Sequence, residues 1–347
     1  MTWFHLNLEA FSYALLSILF EGIPFLLLGS IISGLVDVFV SSERISKMMP
    51  KSPTGSVFLA GLMGLIFPIC ECGSVVVIRR FVKKGLPIGC AVAYMLAAPL
   101  VSPLVALSTY KAFSSGTIGG VSMSPAVMVA LRLSLGYVVA VVVALVVQRL
   151  PSRRILQPGI LAEEAPARRT GFKIAGEGPD FNTLVAQSST GRKVLLAVQS
   201  ATSDFLDVAF FFVIGSAIAS LFVGMKETAI APLATSPFLS IIALMGMASL
   251  LCLCSTTDAF VAANAFAKFS VAANLGFLVF GAMFDLKLFW LYGMVFKRWF
   301  VVTMVAGMFA LVAFLCWQIG SVDAWRPPRA SAPSTLETPK TPLPSQL

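Results

Sequence analysis

Two short cysteine pairs, Cys70-Glu71-Cys72 and Cys252-Leu253-Cys254, each interrupt a long apolar stretch. They lie 182 residues apart (70 to 252, 72 to 254), so four of the six cysteines fall at corresponding points of two related segments. Soft sulfur ligands favour soft, thiophilic species. On an ideal helix the thiols of one pair would point about 200° apart and could not grip one atom. Near the first pair, Pro68 withholds a backbone donor and Gly73 lacks side-chain restriction. The chain can leave the helix there, turning both thiols inward and freeing backbone groups to line a cavity. Ser74 completes this tip, while the second tip carries Ser255, Thr256, Thr257 and Asp258. A lone buried cysteine is usually an apolar filler, and Cys90 and Cys316, without partners, read that way. Two C-x-C pairs at matched positions read as a binding site.

Charges inside the apolar stretches add a second set of candidates. Asp258 follows Cys254 by four residues, and Glu71 stands between the first two cysteines. An ionisable group at membrane depth is costly unless it faces a cavity or a partner. Asp285 and Lys287 interrupt the run from Val271 to Phe296, and Pro99 and Pro103 interrupt its counterpart in the first half. Both spans therefore read as broken. Asp285 and Lys287 shape the site, or simply pair with each other. Glu21 aligns with Asp207, and Gly29 with Gly215, at an offset of 186 residues. The two carboxylates are candidates for coupling, or for helix ends. Asn264 and Asn274 read as interhelical hydrogen bonders.

The elements that position these residues follow from composition. The 347 residues are 58% hydrophobic and 12% charged, against about a quarter charged in soluble domains. Ala126 to Val147 and Phe300 to Ile319 are long enough to cross a bilayer core. The expectation is an all-α polytopic membrane protein with no removable signal peptide. The net charge of +9 comes from basic residues between spans, which indicates topology and not nucleic acid. Four segments are expected: a first membrane repeat over 1–148, a basic and partly disordered cytoplasmic linker over 149–200, a second repeat over 201–320, and a disordered Pro/Ser-rich tail over 321–347.

Counting positive charges selects the topology. Lys51 before the first cysteine pair and Lys83 after it belong on one face only if the intervening segment enters, turns near the cysteines and returns. Each arm, about 15–21 Å as helix, fits half a bilayer. Each half then has three crossings plus a re-entrant hairpin. Three is odd, so the halves are inverted repeats with hairpin tips meeting near the midplane. Four full crossings per half would give parallel repeats instead.

The chain has no P-loop and only one histidine, His5, which leaves no Ser-His-Asp set. No enzyme activity, cofactor or resident metal is expected. The segment Phe67 to Ser74, the run Ile78-Arg79-Arg80 with Lys84-Gly85-Leu86-Pro87, and Leu96-Ala97-Ala98-Pro99 with Pro103 resemble a bacterial predicted-permease family that includes ArsP-type organoarsenical efflux permeases. Cys254 to Ala262 and Met283-Phe284-Asp285-Leu286-Lys287 extend the resemblance. It implies a multi-pass permease of the bacterial cytoplasmic membrane. For arsenical-transporting members it implies efflux of trivalent organoarsenicals through paired cysteines, and it leaves room for a homodimer. Two alternatives stand: another soft cargo, such as a sulfur compound, a thiol metabolite or a soft metal ion, or a membrane thiol–disulfide oxidoreductase.

Overall fold

The computed structural model describes residues 8–39, 52–66, 69–83, 85–114, 117–118, 121–158, 190–222 and 236–321. Pro68, most of the expected linker and the expected tail lie outside them. The first half comprises α1 (Leu8–Phe39), α2 (Pro53–Leu62, ending in a 3-10 turn), α3 (Glu71–Lys83), α4 (Ile88–Ala97), α5 (Pro103–Ala112) and α6 (Pro125–Gln148). A short turn, α7 (Ser152–Ile155), precedes the second half: α8 (Thr190–Phe222), α9 (Pro237–Leu251), α10 (Thr257–Asn264), α11 (Val271–Met283), α12 (Leu286–Val295) and α13 (Arg298–Gly320). A two-residue strand pair, Thr117–Ile118 with Val121–Ser122, is the β-structure among the described residues. Helix α8 begins at Thr190, inside the stretch read as linker.

Local sequence sets many of these boundaries. Ser-Pro opens α2, α5, α6 and α9, with serine at the cap and proline at the first helical position. Proline is suited there because its missing N–H would have no intrahelical partner. Helices α4 and α5 are separated by the break at 98–102, where Ser102 accepts from the Val105 amide. Helices α11 and α12 are separated at Phe284 and Asp285, and Asp285 accepts from the Leu288 amide at 2.7 Å. Ser102 and Asp285 cap matching half-helices, so both expected broken spans are present.

Side-chain packing settles the direction of each element. Gly276 lies against Ile241 and Met245, and Gly281 against Ala248, so α9 and α11 run parallel. Phe238 packs edge-on to Trp317 at 5.4 Å, and Gly320 abuts Ala272. The starts of α9 and α11 and the end of α13 therefore share one face of the bundle. Asn274 donates to the carbonyls of Phe266, Phe269 and Ser270, which ties the end of α10 to that same face. Helices α9 and α10 thus form a re-entrant hairpin. In the first half Gly61 and Gly64 face Ala97 and Ala98 in the matching arrangement, and Gly89 abuts Gln148 at the outer end.

The first hairpin enters from the opposite face. The segment after α6 pairs with the start of α13, through Leu156–Phe296 and the Lys297 amide to the Ile155 carbonyl. The start and the end of α13 lie on different faces, so the hairpins enter from opposite sides. Helices α1 and α8 are antiparallel, with Gly22 against Phe212 and Ser33 bonded to Asp204. Each half has three crossings and one hairpin, and the repeats are inverted. Exposed Phe20, Leu206 and Phe210 on α1 and α8 fit contact with lipid.

Candidate functional site

The two tips meet. A cavity of about 20 Å³ is lined by Cys70, Glu71 and Cys72 from the first tip and by Cys252 and Cys254 from the second. Lys287 of α12, Ile18 and Gly22 of α1, and Phe212 of α8 complete the wall. The volume holds about one water-sized molecule. Cys70 and Cys254 are partly exposed, Cys72 and Cys252 are buried, and none is in a disulfide. Among the described residues, no three His, Cys, Asp or Glu side chains converge as a metal site.

The breaks that bring the cysteines together have local causes. Cys70 precedes α3, and its sulfur accepts from the Gly73 amide at 3.4 Å, so it acts as the helix cap. Cys252 ends α9 in the left-handed region, at φ 50° and ψ 38°. That turn releases Cys254, whose carbonyl receives the amides of Thr257 and Asp258 as α10 begins. Half-helix N-termini at the centre of a membrane are favourable places for negative charge. Gly29 lets α1 approach this tip, since a Cβ there would sit 2.7 Å from the Gly73 Cα.

Charged groups surround the cysteines in pairs. Lys287 lies 2.9 Å from Asp285 Oδ2 and 3.4 Å from Glu71 Oε1, and it donates to the Cys252 carbonyl at 2.9 Å. Ser255 bridges the tips by donating to Glu71 at 3.5 Å, while Thr256 donates to Cys254 Sγ at 3.6 Å. Ser74 turns back to the Glu71 carbonyl. Asp258 is bound by Arg132 of α6, with Nη2 at 2.9 and 2.8 Å from its two oxygens. The same Arg132 donates to the Ser255 carbonyl at 2.8 Å and to Thr109 at 2.7 Å.

Other expected residues lie apart. Pro99 lies within the break between α4 and α5, and Pro103 opens α5. Glu21 is on α1 next to pocket-lining Gly22, and its side chain is outside the described residues. Asp207 is 55% exposed and 3.4 Å from Arg79, and it does not line the cavity. Its neighbour Asp204, which the sequence reading passed over, is the buried one: Arg80 grips it at 2.7 and 2.9 Å and Ser33 donates to it at 2.8 Å. Arg132 was visible only as the single charge in its span. Asn264 bonds within its own helix, to the Phe260 carbonyl, and not between helices as expected. Asn274 of α11 reaches the Phe266 and Phe269 carbonyls that follow α10, and Cys90 and Cys316 are buried in the core.

No solved structure matches the chain. It is 31% identical over 303 residues to the UPF0718 protein YcgR of Bacillus subtilis, covering 86% of this chain and 92% of that protein. It is 28% identical over 306 residues to a putative two-component membrane permease complex subunit of Streptococcus mutans, covering 88% and 93%. With residues 7–320 matching the family described as predicted permease, the chain belongs to that family of membrane permeases.

Proposed function

We propose that this permease exports a small thiophilic solute, with methylated trivalent arsenic as the specific cargo, through the site between the two tips. The observation that carries the reading is the convergence of Cys70, Cys72, Cys252 and Cys254 on one small cavity. Thiol exchange supplies the binding chemistry. Two thiols each give a proton to one of the two hydroxyls on methylarsenite; at each, an As–O bond breaks, an As–S bond forms and water leaves. Passage to the other two thiols exchanges As–S for As–S bonds, each incoming thiol's proton going to the departing sulfur, with no change of oxidation state. Reversal by water on the far side releases the cargo. Partly exposed Cys70 and Cys254 offer the first contacts, and Cys72 and Cys252 receive the atom as the tips move. Ile18 and Phe212 form an apolar wall suited to a methyl substituent.

The test is expression in an arsenical-sensitive bacterium. The expected result is greater tolerance of methylarsenite and lower cellular arsenic, both lost when the four cysteines are replaced by serine. Unchanged tolerance and accumulation, with the protein present in the membrane, would defeat the cargo assignment.

A further inference from the structure

The cavity is too small for any cargo larger than water, so at least one tip must move to admit it. What holds each tip is a cation from the opposite half. Glu71 of the first tip is paired with Lys287 of α12 in the second half. Asp258, which follows the second tip, is paired with Arg132 of α6 in the first half. Each cation is braced within its own half by the broken span: Lys287 by Asp285, the cap of α12, and Arg132 by Thr109 of α5. Helix α3 packs on α12 and α10 packs on α5, so the helix packing corresponds under the repeat, while the charged residues of the two pairs stand at unmatched positions.

We propose that Lys287 and Arg132 are positioning residues that hold the two cysteine tips shut, each closing the face from which the tip it grips enters. The proposal rests on the site lying between the tips, and not on the identity of the cargo. Release of Lys287 from Glu71 frees the first tip and opens the cavity toward the face of α7 and the start of α8. Release of Arg132 from Asp258 and the Ser255 carbonyl frees the second tip and opens it toward the face of Gly320. Arg80 on Asp204 anchors the outer end of α3 to α8, which confines the first movement to the tip. The groups around each latch are few. Among the described residues, Asp285, Glu71 and the Cys252 carbonyl face Lys287, while Asp258, Thr109 and the carbonyls of Ser255 and Leu278 face Arg132.

Thiol accessibility in oriented vesicles tests this without any arsenical. Single-cysteine proteins retaining Cys70 or Cys254 are exposed to a membrane-impermeant maleimide from either face. Lys287→Met is expected to raise Cys70 labelling several-fold from the face of its hairpin. Because it also removes the bond to the Cys252 carbonyl, the variant expected to leave Cys254 near its original rate is Glu71→Gln, which keeps that bond. Arg132→Met is expected to raise Cys254 labelling from the other face alone. Lys287→Arg and Arg132→Lys restore slow labelling. Glu71→Gln and Asp258→Asn release the same tips while keeping both cations, and report the same pattern where the methionine variants fail to insert. Equal labelling of both tips from one face, or no change in inserted protein, overturns the proposal. Failure of arsenical export with side-selective labelling intact would instead remove only the cargo reading.

Discussion

At the scale of single residues, Cys252 carries a conflict between backbone and side chain. It is the non-glycine residue with positive φ among the described residues. An L side chain in that region costs about 1–2 kcal/mol, and such strain persists where the surroundings over-determine it, often at functional sites. Glycine takes up that backbone conformation without strain, which offsets the loss of the buried thiol and its contacts. Cys252→Gly is therefore expected to fold as stably as the parent in detergent melting, yet to lose arsenical export. Cys252→Val, β-branched, should lower stability by about 1–3 kcal/mol. Export by Cys252→Gly at the parental rate would show that this thiol is dispensable. The paired cysteines could be read from sequence because repetition exposed them. Arg132 stood out only as the one charge in its span, and its pairing could not be read because its partner Asp258 is 126 residues away. Asp204 was missed for another reason: alignment of the halves singled out Asp207, three residues on, although the helix turns Asp204 inward and Asp207 toward solvent.

At the scale of elements, the two broken spans use one device with unequal consequences. Ser102 caps α5 and Asp285 caps α12 at corresponding positions. Removing a cap costs about 1 kcal/mol, and Ser102→Ala should lose no more than that. Asp285→Ala removes a cap and also one of the two carboxylates that balance buried Lys287. Breaking a buried pair from one side costs about 3–5 kcal/mol, so the second variant should be destabilised several times more in thermal unfolding. A triple change, Asp285→Ser with Lys287→Met and Glu71→Gln, removes the charges together and should recover most of the loss. Equal losses for the two single variants would mean that Lys287 does not depend on Asp285. The breaks themselves were legible, because prolines in one half and a charged pair in the other both interrupt apolar runs. Which cation served which tip was not, because periodicity within one helix carries no information about the opposing half.

At the scale of the whole molecule, inversion makes each face chemically distinct. Arg79, Arg80, Lys83, Arg149, Arg153, Arg154, Arg192, Lys193, Lys297 and Arg298 all lie toward the face of α7, while Lys111 and Lys268 lie toward the other. The positive-inside tendency then places the α7 face in the cytoplasm. Charge counting in the sequence reached the hairpins by requiring Lys51 and Lys83 to share a face, and packing of Gly276 and Gly281 on α9 supplies the direction independently. Single cysteines in place of Ser52, Gly85 and Ser321, in a background without other cysteines, separate the two possible topologies. With re-entrant hairpins, positions 52 and 85 label from the cytoplasmic face and position 321 from the opposite one. With fully spanning segments, 52 and 85 would label from different faces. Under the proposed site, a cargo released past the first tip toward the cytoplasm and one released past the second tip outward leave the same four thiols. Under the proposed latches, both ion pairs must yield in turn in every transport cycle, while one set of thiols serves both faces.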